Sequence, residues 1–174
     1  GSVLDLVRKG GPPVEAGGLV DRVFGASPER GAFVVSGANG LVGAGKTMQL
    51  GSRLEPFGVP IVALDFPGVP DGIGAQYPGL VRAFGADRAA AIMGNVTRLA
   101  YDGSPLPPQL NSLSPRFLLE AVPENLEITR AHYEVFRTAF PDIEIRSVTS
   151  GFPQWALGVG VAHPAFPHEI NKIF

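Results

Sequence analysis

The chain has 174 residues, 45% apolar and 17% charged, with a formal net charge of −2. That composition excludes a disordered chain, and so small a charge supplies no field for nucleic acid or an anionic membrane surface. Cysteine is absent, which excludes disulfides and thiol chemistry and makes a cytoplasmic setting the default expectation.

In chain order, residues 3–9 carry the spacing of a short helix, and Gly10-Gly11-Pro12-Pro13 ends it. Residues 18–31 are glycine-rich without a clear period, so residues 1–31 read as an N-terminal extension of unassigned role. The apolar run at 32–36 predicts the first strand. Helical spacing follows over 41–57 (Leu41, Met48, Leu50, Leu54, Phe57) and stops at Gly58 before Pro60. Ile61-Val62-Ala63-Leu64-Asp65 predicts a second strand, apolar enough for a parallel sheet covered on both faces. Residues 66–79 read as a loop. Residues 79–100 are alanine-rich, and the spacing of Leu80, Phe84, Ile92, Val96 and Leu99 predicts one helix. The prolines within 102–116 predict a loop or linker. Phe117-Leu118-Leu119-Glu120 is a buried strand, 124–140 a helix and 143–148 a strand, followed by short segments at 152–157 and 159–162. No apolar run approaches the ~20 residues of a membrane span. This rhythm predicts an α/β fold, a doubly wound and mostly parallel Rossmann-like sheet in a single domain over residues 32–174.

Gly37, Gly40 and Gly43 follow the first strand and open a helix. Glycines there allow a tight turn and let backbone N–H groups, with those of Leu41 and Val42, approach a pyrophosphate. Asp65 ends the next strand at about the spacing of a dinucleotide fingerprint, where its carboxylate accepts from both ribose hydroxyls. An acid there repels a 2′-phosphate, so NAD is expected as cofactor rather than NADP. Gly43 and Gly45 are a second possible register for the tight turn. The same window, Gly40-Leu-Val-Gly-Ala-Gly45-Lys46-Thr47, satisfies the P-loop pattern of nucleotide triphosphatases, with Asp65 as a magnesium ligand. On this window alone the P-loop reading ranks equal or ahead. A glycine-rich turn that binds nothing is the bland third.

The downstream half separates them. Glu120-Ala-Val-Pro-Glu-Asn-Leu-Glu-Ile-Thr129 resembles the E-A-V-x-E-N-L-x-x-K segment of the 3-hydroxyacyl-CoA dehydrogenase NAD-binding domain. Val148-Thr149-Ser150 is similar to that family's N-T-S-S turn, and Val161-Ala162-His163-Pro-Ala-Phe-Pro167 to its G-x-H-F-F-N-P motif. The three occur in the family's order across residues 32–174. Thr129 and Phe166 depart from the family's lysine and asparagine. The resemblance implies an oxidoreductase of fatty acid metabolism that oxidises a 3-hydroxyacyl substrate, CoA-linked or related, with hydride passing to NAD. It implies that His163 is the catalytic base, a role suited to imidazole chemistry. By the same carry-over Ser150 bonds the substrate oxygen, Glu124 lies near the nicotinamide and Asp65 holds the adenosine ribose. The family's helical C-terminal domain, which makes its dimer contacts, has no counterpart here, so the chain reads as the cofactor-binding domain of a longer enzyme, and the resemblance implies a homodimer for the intact protein. A non-catalytic Rossmann-like binding module is the further alternative. His132 and His168 have no metal-ligand partner at useful spacing, and no metal is expected.

Overall fold

A computed structural model describes residues 13–103, 105–121 and 126–148. Five strands form one sheet: β1 (Phe33–Ser36), β2 (Ile61–Asp65), β3 (Val96–Ala100), β4 (Phe117–Glu120) and β5 (Glu144–Ser147). All neighbours are parallel, in the order β3-β2-β1-β4-β5. The described helices are α1 (Pro13–Phe24), α2 (Leu41–Leu54), α3 (Tyr77–Phe84), α4 (Ala86–Gly94), α5 (Gln109–Leu113) and α6 (Leu126–Ala139). The expected doubly wound α/β architecture is the one observed. Among the described residues no helix is long and apolar enough to cross a membrane.

The apolar strands divide by the period of two that a pleated strand imposes. Phe33, Val35, Ile61, Ala63, Phe117 and Leu119 face one buried cluster, covered by α1, α2 and α4 through Phe24, Met48 and Ile92. Val34, Val62, Leu64, Leu118 and Ile145 face the other, covered by α5 and α6 through Leu110, Tyr133 and Phe136. Helices on both faces are what near-continuous apolar strands require. The chain leaves β1 in one direction toward β2 and β3, and returns on the other side of β1 as β4 and β5. The carboxyl ends of β1 and β4 therefore flank the point where the strand order reverses.

Three elements differ from the sequence reading. The helix predicted over 79–100 is two helices and a strand: α3 ends at Gly85, whose φ of +84° takes the chain out of the helix, α4 follows, and residues 96–100 pair with β2. β3 is the sheet's edge, and Thr97 and Arg98 on it are exposed. Such a strand lacks the apolar run that marks a buried one, and pairing with β2 overrides the helical spacing. Residues 109–113 within the predicted loop form the short α5. The folded core also begins before residue 32. α1 arises inside the stretch that reads as an extension and buries Leu19, Val20, Val23 and Phe24. Residues 3–9 and the segments at 152–157 and 159–162 lie outside the described residues.

Phe24 sits against two stacked rings. Phe33 and Phe117 lie on adjacent strands with centroids 5.2 Å apart and planes 9° from parallel, and Phe24 is 6.1 and 6.5 Å from them. Truncating a buried phenylalanine removes its transfer free energy and leaves a cavity, so Phe24→Ala is expected to cost about 3–5 kcal/mol in urea denaturation. A cost below about 1 kcal/mol, the range of surface substitutions, would remove α1 from the core.

Candidate functional site

The turn between β1 and α2 is built by two glycines. Gly37 has φ +72°, a left-handed conformation that other residues adopt at a cost, and its carbonyl accepts from Gly40 N–H at 3.2 Å. Gly43, in the first turn of α2, packs on the Gly37 peptide so closely that a methyl group there would collide with the carbonyl oxygen. Gly40 precedes the helix in an extended conformation (φ −70°, ψ 167°) and supplies no side-chain cap, and the first turn holds no acid. Among the described residues no side chain caps the first amides of α2, and the positive end of its dipole faces the edge that carries Asp65. Leu41 and Val42 stand in that turn, 96% and 55% exposed. Gly37, Gly40, Leu41 and Val42 are therefore one accessible stretch over the buried Gly43, and Gly45 is an interior helical residue.

This geometry is not that of a P-loop. A P-loop keeps its glycines in a wide loop and starts the helix near the lysine. Here α2 starts at Leu41, so Lys46 and Thr47 lie in its second turn. Thr47 is fully buried, and its hydroxyl donates to the Gly43 carbonyl at 2.6 Å.

Asp65 closes the site from the next strand. Its Oδ2 accepts from Asn39 N–H and its Oδ1 from Phe66 N–H, each at 2.8 Å. Asn39 also holds the loop after β2, because its Oδ1 accepts from Ile73 N–H at 3.1 Å. A carboxylate has about four acceptor sites. The two backbone donors leave room for further donors on each oxygen.

Beside Asp65 lies a cleft of about 420 Å³, bounded by the ends of β1 and β2, the segment after β3, and α6. Leu64, Phe66, Tyr101 and Val135 give it apolar walls. His132 reaches it from α6, and its Nε2 is 2.9 Å from Ser36 Oγ. Burial pushes the His132 imidazole down to about 4, so the ring is neutral at physiological pH. In register with Ser36 on the neighbouring strand, at the end of β4, the wholly buried Glu120 accepts from Tyr133 Oη at 3.2 Å and from Ser147 Oγ at 3.1 Å. Burial, and next the Glu120 charge, raise the Tyr133 phenol, which stays protonated as a donor.

The fold brings Asp65 to the glycine turn. Ser150, His163 and Glu124 lie outside the described residues. Ser36, Tyr101 and His132 are cleft residues that sequence reasoning did not assign to a site. A signal for His132 existed in its helical spacing to Phe136, which placed it on the inward face of α6. Tyr101 follows an unrecognised strand and offered no such signal. No family model matches this sequence, and no curated protein matches it significantly.

His132 carries a pH signature. Its folded value lies below the ordinary 6.5, so the unfolded chain binds the extra proton between those values. Stability is therefore full above pH 6.5 and falls as pH drops toward about 4, by on the order of 3 kcal/mol from this group. His132→Gln keeps a partner for Ser36 and is expected to flatten that part of the Tm–pH curve. Parallel curves for the two proteins would contradict a buried neutral imidazole.

Proposed function

We propose that this chain binds NAD as the cofactor domain of an oxidoreductase. The observation that carries the reading is the joining of an uncapped helix N-terminus to a strand-end acid: the Asn39–Asp65 hydrogen bond sets the first amides of α2 and the Asp65 carboxylate on one edge, beside an apolar cleft. A dinucleotide asks for these three features in this order. Its pyrophosphate needs backbone donors and a positive dipole, its ribose a carboxylate, and its base an apolar slot.

The residues present fit the group. Gly43 leaves the peptide of Gly37 unobstructed where any side chain would intrude. Leu41 and Val42 amides would face the pyrophosphate, and Asp65 would accept from the ribose hydroxyls. The same carboxylate disfavours a 2′-phosphate, so NAD is preferred over NADP. Bound NAD would supply a hydride acceptor. The resemblance to 3-hydroxyacyl-CoA dehydrogenases supports a 3-hydroxyacyl substrate, CoA-linked or related. In that chemistry His163 takes the hydroxyl proton and Ser150 holds the substrate oxygen, with Glu124 on the nicotinamide side.

Titration with NAD(H), followed by calorimetry, tests the reading. Saturable binding is expected, stronger for NAD than for NADP. Asp65→Asn should weaken NAD about tenfold, the loss of one hydrogen bond to a charged group. Lys46→Ala should leave NAD affinity unchanged. Absence of NAD(H) binding, or tight Mg·GTP or Mg·ATP binding that Lys46→Ala abolishes, would overturn it. NAD binding in a protein that oxidises no hydroxyacyl substrate would keep the cofactor and discard the dehydrogenase.

A further inference from the structure

Asp65 stands between two cavities. The cleft beside α6 opens on the face of the sheet that holds Leu64. A second cavity, of about 360 Å³, lies on the opposite face toward the β3 edge, and Ala63, Asp65, Phe66, Asp71 and Arg98 are among its walls. Arg98 stands on β3 in register with Ala63, two positions before Asp65 on β2. Successive residues of a strand alternate between faces, so Ala63, Asp65 and Arg98 share one. The loop after β2 brings Asp71 to the same place. Its Oδ1 accepts from Gly74 N–H at 3.0 Å, and its Oδ2 from Arg98 Nη1 at 2.7 Å. Arg98 Nη2 lies 3.3 Å from the Met93 sulfur. Among the described residues lining this cavity Arg98 is the one cation, and it faces two carboxylates, Asp65 and Asp71. The Asp71–Arg98 pair is about half exposed, with side-chain exposures of 52% and 43%. Such pairs are weak in water, so a more highly charged group can compete for the guanidinium.

We propose that the Asp71–Arg98 pair sets the choice between a plain ribose and a ribose 2′-phosphate at this site, because Asp71 engages the guanidinium that a 2′-phosphate needs. The proposal rests on the dinucleotide reading above and adds the residues, beyond Asp65, that determine specificity. A ribose diol on the Asp65 carboxylate sits where the two cavities meet. With the base in the cleft on one side, a substituent on the 2′-oxygen is directed to the other, toward Arg98. A phosphate monoester carries a charge of about −1.5 to −2 at pH 7. Arginine is suited to receive it, since its planar fork donates two parallel hydrogen bonds to one phosphate. Here Asp71 holds that fork and adds its own negative charge beside that of Asp65. Neutralising Asp71 releases the fork and removes one of the two repulsions. Asp71→Asn does so with little local change, because the carboxamide oxygen still accepts from Gly74 N–H.

The test is calorimetric titration of NAD and of NADP into the wild-type chain, Asp71→Asn, Arg98→Ala and the double variant. The readout is the ratio of the two affinities, since a loss of folded protein lowers both alike. The wild type is expected to prefer NAD. Asp71→Asn should raise NADP relative to NAD by about tenfold, the scale of one hydrogen bond to a charged group. The double variant should lose that gain, because the gain depends on the guanidinium. Arg98→Ala alone, at an exposed position of the edge strand, should lower NADP relative to NAD below the wild-type ratio. A ratio that Asp71→Asn does not move, a gain that survives in the double variant, or a ratio that Arg98→Ala leaves unchanged or raises overturns the proposal and leaves the dinucleotide reading standing. Binding of neither dinucleotide to the wild type overturns that reading and this proposal with it.

Discussion

The hydrogen bond from Asn39 N–H to Asp65 Oδ2 joins two chain segments 26 residues apart and everything at the carboxyl edge is arranged around it. On one side stands the glycine turn with the bare N-terminus of α2. On the other stands the end of β2 and the loop that Asn39 also secures through Ile73. The start of α2 and the Asp65 carboxylate are thereby fixed relative to each other. Preorganisation of this kind lowers the ordering cost of binding. It also explains the two demanding glycines: Gly37 turns the chain and Gly43 lets α2 approach, and without both the Asn39 amide would not meet the carboxylate.

The same edge concentrates the polar residues that the sheet cannot bury elsewhere. Ser36, Glu120 and Ser147 end β1, β4 and β5 on the face covered by α6, and His132 and Tyr133 come down from α6 to meet them. Their placement follows the strand period, since each is an even step from Val34, Leu118 or Ile145 on that face. Buried hydrogen-bonded groups of this sort fix one orientation of helix on sheet, because a half-satisfied network costs more than an apolar one. Tyr101 is the exception within this group. Its ring serves the core, and its buried hydroxyl makes no hydrogen bond.

Legibility followed burial. β1, β2, β4, α2 and α6 were readable because both-face burial demands apolar runs or full helical stripes, and their sequences contain them; β5, at the other edge of the described sheet, has no such run and offered only the alternation of Ile143 and Ile145. β3 was not, because an edge strand is half exposed and Val96-Thr97-Arg98-Leu99-Ala100 satisfies either period. α1 was hidden by Gly17 and Gly18, which weaken the helical pattern locally while Phe24 anchors the helix through contacts with Phe33 and Phe117. At the site, glycine spacing and the strand-end acid announced the turn and Asp65, and could not separate the two registers or exclude the P-loop. Where α2 begins put Gly37, Gly40 and Gly43 at the turn and Gly45 inside the helix, and the start of a helix depends on which carbonyls and amides pair in three dimensions.

By itself the sequence determined the class of fold, the glycine turn after β1 and the acid after β2, since these depend on local period, backbone freedom and charge. Only the tertiary structure decided that Thr47 is a core residue, that Ser36 and His132 pair across 96 positions, and that Tyr101, a residue of the cleft beside Asp65, buries an unpartnered hydroxyl. The reason is physical: burial and hydrogen-bond partnership are properties of neighbours, and these neighbours are distant along the chain.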